Sequence, residues 1–173
     1  MNPSFDWNNI IQDLAPALYR YFYAGSSVQT AEDLVQNTLI RLIEKVQNQQ
    51  FHPDQGSLRM YAFGIAHFVR LEARRKNKQI LELEWNEEFA NTEPGFDSHL
   101  EEASQTRNLR KAIALLSETQ QNVLQLYLDE ELTMEQISQI LEIPVGTVKS
   151  HLHRAKEELK GRLIEIENKG GLS

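Results

Sequence analysis

Apolar residues recur along this chain at helical spacing, in blocks separated by short polar breaks. The clearest block covers residues 31–46, where Ala31, Leu34, Val35, Thr38, Leu39, Leu42, Ile43 and Val46 line one face. Thr30 is placed to cap this helix, and Glu32 and Asp33 suit the positive end of its dipole. Residues 5–24 predict an earlier helix with Ile10, Ile11, Leu14, Leu18 and Phe22 turned inward, and Pro16 predicts a bend or a split in it. Residues 47–57 read as a loop, with Pro53, Asp54 and Gly56 supplying turn chemistry. Residues 58–77 predict a further helix. Leu58, Tyr61, Ala62, Ile65, Phe68, Val69 and Ala73 are expected inward; Arg59, Phe63, His67, Arg70 and Arg74 lie on another face.

Periodicity fades over residues 81–98, an acidic stretch with Pro94-Gly95 that predicts a linker with at most one helical turn. Helical spacing resumes over 100–116, with Leu109, Ala112, Ile113 and Leu116, and over 118–128, with Val123, Leu124, Leu126 and Tyr127. No strand pattern, internal repeat or low-complexity tract interrupts this series, so the fold class is all-α.

Residues 133–163 carry the most specific local pattern, a helix-turn-helix. Thr133 and Gln136 form a capping box, and Ile137, Ile140 and Leu141 form a buried face. Ser138 is small where two helices cross closely. The turn follows at Glu142-Ile143-Pro144; Pro144 suits the start of a helix, where its missing N–H costs nothing. Glu142 stands where a glycine is expected, and a left-handed backbone there costs a side-chain-bearing residue roughly 1 kcal/mol. Val148, Leu152, Ala155 and Leu159 anchor the second helix. Its outer face offers Thr147, Lys149, Ser150, His151, His153, Arg154 and Lys156, donor-rich side chains of the kind that reach base edges and phosphates.

Charge refines this picture. The 173-residue chain carries a net −7, which alone argues against a nucleic-acid ligand. Its distribution argues the opposite. Residues 59–78 hold six basic side chains against one acid, and residues 79–102 hold eight acids with no Lys or Arg. Arg59, Phe63, His67, Arg70, Arg74 and Arg75 supply the basic track and aromatic faces that splayed bases need. Cysteine is absent, which removes disulfides and thiolate chemistry and fits a reducing cytosol. No signal peptide or membrane-spanning run is read, so a cytoplasmic location without membrane insertion is expected.

Taken together, residues 109–159, 31–46 and 56–75 resemble the sigma-70 family of RNA polymerase sigma factors, in its extracytoplasmic-function (ECF) branch. The core Pro144-Val-Gly-Thr-Val-Lys-Ser150 and the pair Arg154-Ala155 carry the resemblance to the fourth sigma region. AEDLVQNTLIRLIEKV (31–46) is similar to the core-binding helix of the second region, and GSLRMYAFGIAHFVRLEARR (56–75) to its minus-ten segment. The resemblance implies two small helical domains joined by a flexible acidic linker, the C-terminal one the helix-turn-helix. The boundaries expected are 1–79 for the second sigma region, 80–104 for the linker, 105–167 for the fourth region and 168–173 for a tail.

It also implies partners: core RNA polymerase, through its beta-prime coiled coil and beta flap, promoter DNA and an anti-sigma factor. Asp33, Gln36, Asn37 and Arg41 would face the polymerase. Phe51, His52, Gly56 and Ser57 belong to a base-capturing loop. Arg59, Tyr61, Ile65, His67, Phe68, Glu72, Arg74 and Arg75 would meet minus-ten DNA, and the outer face of the last helix the minus-thirty-five element. The chain departs from the family at Asn37 (usually Glu), Tyr61 (Trp), Phe68 (Asn), Glu72 (Asp) and Ser117 (Pro).

No nucleophile–base pair or phosphate-cradling glycine loop appears, so no enzymatic activity and no cofactor are expected. His151 and His153 diverge on a helix, and no metal is expected. Two other functions stay open: an adaptor that mimics a sigma factor to sequester an anti-sigma factor, and a stand-alone helix-turn-helix regulator.

Overall fold

The computed structural model of the chain describes residues 5–23, 26–83, 104–129 and 131–170. It divides into two compact units, 1–96 and 97–173. Every regular element among the described residues is helical.

The first unit packs α1 (Trp7–Tyr23), α2 (Val28–Gln47) and α3 (Leu58–Leu83) against one another. Leu18, Tyr21, Phe22, Leu42, Phe63 and Val69 are the large residues of its core. α1 runs through Pro16 without splitting. Pro16 and Gln12 both lie on the exposed side, where water can satisfy the Gln12 carbonyl that the ring leaves without a partner. α2 begins earlier than its apolar stripe. Ser27, not Thr30, is its cap, accepting the Thr30 backbone N–H at 3.2 Å. At the other end Gln49 turns left-handed (φ 58°), and the Gln50 N–H returns to the Lys45 carbonyl at 2.9 Å, which closes the helix.

α3 packs against both α1 and α2, so two of its faces are buried rather than one. This corrects the expected facing of several residues. Phe63 and Arg70, assigned to the outer track, are buried, Arg70 to 6% exposure. The Arg70 guanidinium lies 3.8 Å over the Tyr21 ring and donates to the Tyr21 carbonyl. Phe68, expected inside, is 54% exposed. α3 also continues to Leu83, into the stretch read as linker; residues 84–103 lie outside the described residues.

The second unit holds α4 (Ser104–Ala114), α5 (Glu118–Tyr127), α6 (Met134–Leu141) and α7 (Val145–Gly170). α7 packs against all three of the others through Val148, Leu152, Ala155 and Leu159. It runs into the segment expected as a tail. Leu109 and Tyr127, expected in the core, are exposed by more than a third. Capping boxes open α5 (Ser117, Gln120) and α6 (Thr133, Gln136). Gln120 also reaches Glu158 on α7 at 3.2 Å. Hydrogen bonds from Arg162 and then from Gln120 hold the Glu158 carboxyl below its ordinary range.

The turn of the helix-turn-helix is left-handed at Glu142 (φ 55°, ψ 39°). The Ile143 N–H returns to the Ser138 carbonyl at 3.1 Å, and the Ser138 hydroxyl donates to the Ile143 carbonyl at 2.6 Å. Ser138 therefore locks the turn, beyond merely being small. Glycine at 142 would relieve about 1–2 kcal/mol of left-handed strain. The freedom it gives the unfolded chain offsets about 0.4–1 kcal/mol of that. Glu142→Gly should thus stabilise the second unit by about 0.5–1 kcal/mol, read as a raised denaturant midpoint at unchanged slope.

Candidate nucleic-acid interface

α7 starts where Pro144 fixes the backbone and its carbonyl accepts the Val148 N–H at 3.0 Å. Burial of Val148, Leu152 and Ala155 turns the opposite face outward. Lys149, Ser150, His153, Arg154 and Lys156 are exposed there; Thr147 and His151 are half-buried beside them. The Ser150 hydroxyl donates to the Gly146 carbonyl at 3.0 Å, so toward a ligand it presents its lone pairs. Lys156 lies over the Tyr127 ring, its Nζ 4.3 Å from the centroid. Among the described residues no ion pair holds Arg154. Its neighbour Glu158 is taken by Arg162 at 2.6 Å.

The first unit offers a second surface around α3. Phe51 and Tyr61 meet with centroids 5.3 Å apart, and the Tyr61 hydroxyl donates to the Gln50 carbonyl at 3.3 Å. Burial pushes the Tyr61 phenol above its ordinary range. Phe5 sits edge-on to Phe51 at 6.2 Å and 5.5 Å from Trp7. Phe5 and Trp7 thus extend an aromatic row that sequence reasoning did not assign. They lie where only the start of a helix was legible, and the contact crosses more than forty residues. In the loop His52 and Ser57 are exposed and Phe51 and Gly56 half-buried. Gly56 adopts φ 155° and ψ 173°, a region essentially restricted to glycine. A Cβ there would lie 2.9 Å from Met60 Sδ. Gly56→Ala should therefore cost about 1–3 kcal/mol of the first unit's unfolding free energy, measured by denaturation.

Other residues expected at DNA have partners within the first unit or are buried in it. Ile65 is 7% exposed and belongs to the core. Glu72 is ion-paired to Arg41 of α2 at 2.7 Å. Arg59 is held by Asp13 at 2.8 Å with its side chain mostly covered, and His67 Nδ1 lies 3.3 Å from the Tyr21 hydroxyl. Phe68 and Arg75 remain exposed and Arg74 half-buried. On α2, Asp33, Gln36 and Asn37 are exposed together, while Arg41 is half-buried and donates to Asn37 Oδ1 at 2.8 Å. Ile40, 57% exposed among them, was missed because its position falls off the inward stripe. Among the described residues no group of three or more His, Asp or Glu side chains could hold a metal ion, and no helix is long and apolar enough to cross a membrane.

The surfaces lie in two separate units, and each unit matches a known family. Residues 10–80 match Sigma-70 region 2, and residues 106–159 match Sigma-70, region 4. The chain belongs to the sigma-70 family. It is an ECF-type member, with two helical units and the helix-turn-helix in the second. The RNA polymerase sigma factor YlaC of Bacillus subtilis is 29% identical over 168 residues, covering 89% of this chain and 94% of that protein. The ECF RNA polymerase sigma factor SigE of Mycolicibacterium smegmatis is 28% identical over 161 residues, covering 92% of this chain and 62% of that protein. Among solved structures, the sigma factor RpoE of Bartonella quintana, in complex with the anti-sigma factor NepR, superposes with a TM-score of 0.72 at 24% identity. The match covers 91% of this chain and 96% of that one. At that identity the superposition speaks for the fold of this sigma-70 member.

Proposed function

We infer that this chain is a promoter-specificity subunit: it binds core RNA polymerase, directs it to particular promoters, and acts in the cytoplasm without catalysing a reaction itself. The observation that carries this reading is the pairing, in one chain, of two units with different outward chemistry. The first exposes a polar face on α2 and carries an aromatic loop. The second exposes a donor-rich helix-turn-helix face. A stand-alone helix-turn-helix regulator would have no use for the first.

In this reading Asp33, Gln36, Asn37 and Ile40 meet the beta-prime coiled coil. Phe51, His52, Gly56, Ser57, Tyr61, Phe68, Arg74 and Arg75 meet the melted minus-ten strand. Thr147, Lys149, Ser150, His151, His153, Arg154 and Lys156 meet the minus-thirty-five duplex. Leu115 and Leu128, exposed at the ends of α4 and α5, offer the beta flap apolar surface. The first functional domain, expected to end at 79, takes in α3, and the acidic segment behind it is the linker. The structural likeness to a sigma factor captured with its anti-sigma factor supports control by a protein of that class.

Run-off transcription with purified core polymerase on a genomic promoter library tests the reading. Promoter-dependent transcripts that require the chain are expected. Binding of an anti-sigma factor with no transcripts would favour the mimic; specific duplex binding without polymerase would favour the regulator.

A further inference from the structure

Folding gives no reason for a glycine at position 64. Gly64 lies inside α3, where glycine weakens a helix relative to alanine. Its backbone is helical, so no left-handed turn requires it. Close packing does not require it either: no side chain and no other element lies within 4 Å of where a Cβ would stand. Helical spacing puts Gly64 on the side of α3 away from the buried Ala62, Ala66, Val69 and Arg70, so its main chain is left bare on the outer face. Two aromatic residues flank this gap. One turn before it the Tyr61 ring is held against Phe51, with its hydroxyl on the Gln50 carbonyl. One turn after it Phe68 is 54% exposed, and among the described residues no other ring packs on it. Side chains on a helix lean toward its N-terminus, which brings the Phe68 ring to the Gly64 side. Gly146 and Gly161 are open as well, but neither has an aromatic residue three or four positions away. The charge around the gap suits a polyanion. Arg75, two turns beyond Phe68 on the same side, is exposed, and Glu72, the acid of this basic stretch, is paired with Arg41.

We propose that Gly64 is the floor of a notch on α3 that admits one base of single-stranded DNA, its edge toward the bare main chain and its face stacked on Phe68. This rests on the reading of α3 as the minus-ten surface and adds to it a specificity. Phe68 stands where the family usually has Asn, and it meets a base with a ring face instead of hydrogen-bonding groups. Every base has a face to stack, so the promoter position that enters the notch is one where a base is required but its identity matters little.

The test uses the chain assembled with core polymerase and non-template strands of a promoter found by run-off transcription. Each strand lacks the base at one minus-ten position. Gly64→Leu fills the notch and Phe68→Ala removes its wall. Neither should lower the denaturant midpoint or the affinity for core polymerase, since a side chain at 64 strikes nothing and Phe68 is exposed. Each should weaken binding of the intact strand about ten- to a hundredfold, the loss of one base–aromatic stack. At one position, removal of the base should weaken the unmodified protein by a similar factor and the two variants hardly at all. Replacing that base by any of the other three should change the unmodified affinity by less than about threefold, because stacking tolerates every base. If the variants bind the intact strand as the unmodified protein does, or if their losses multiply with base removal at every position, no base enters the notch and the proposal is overturned. A strand bound equally well by the unmodified protein whichever base is missing would remove α3 from the minus-ten surface, and the proposal with it.

Discussion

Asp33→Arg should weaken binding to core RNA polymerase about ten- to a hundredfold, because a reversed charge at a contact face meets its former partner as a like charge. The fold has little stake in Asp33. The side chain is exposed and takes one hydrogen bond, from Gln29 Nε2 at 3.1 Å. The competing account of Asp33, that it serves the positive end of a helix dipole, weakens once the cap is seen at Ser27. α2 starts at Val28, so Asp33 lies in the second turn, and the dipole effect falls off within the first. Denaturant unfolding should therefore move by no more than about 0.5 kcal/mol. The loss should also lessen as salt rises, since an exposed charge acts largely through screened encounter. A titration with core polymerase that returns the unmodified affinity would remove Asp33 from the face.

Features that depend on neighbours within one turn are legible in the amino-acid sequence alone. Thr133 and Gln136 cap each other across three residues, and the left-handed position of Glu142 follows from where α6 must stop. The buried anchors Val148, Leu152 and Ala155 follow from spacing on a single face. α3 departs from its expected facing because a single-stripe reading assumes one buried face, whereas α1 and α2 cover two. Arg70 shows why spacing cannot supply this. Its burial depends on Tyr21 and Phe22, about fifty residues away, whose rings take the guanidinium in place of water. Glu72 and Arg41 each suggest an external partner for the same reason. Their residue types fit such partners, and only the packing of α3 on α2 shows that they satisfy one another. Candidate contacts on α7 fare better, since a helix anchored on one side by Val148 and Leu152 leaves little choice about what faces out.

Arg154→Ala should lower transcription from the cognate promoter and relax preference at one or two upstream positions. An arginine on this face can make a bidentate bond to guanine, worth roughly 1–3 kcal/mol of discrimination. The structure leaves Arg154 available for it. Among the described residues Arg154 makes no ion pair with either of the neighbours that could occupy it, Glu157 or Glu158, and Glu158 instead binds Arg162 at 2.6 Å and Gln120 at 3.2 Å. Lys156 differs in kind. Its Nζ rests 4.3 Å over Tyr127, and leaving that ring costs about 0.5–1 kcal/mol at an exposed site. A phosphate must offset that cost before Lys156 adds affinity. Lys156→Ala should then weaken all promoters alike and modestly, lowering the salt dependence by about one unit of slope. If the lysine stays on the ring, neither quantity moves, and Lys156 leaves the set of DNA contacts. Scoring a promoter library with both variants separates the roles. Should Arg154→Ala produce the same uniform loss as Lys156→Ala, with no positional change in preference, Arg154 touches phosphate only and the guanine contact is lost from the account.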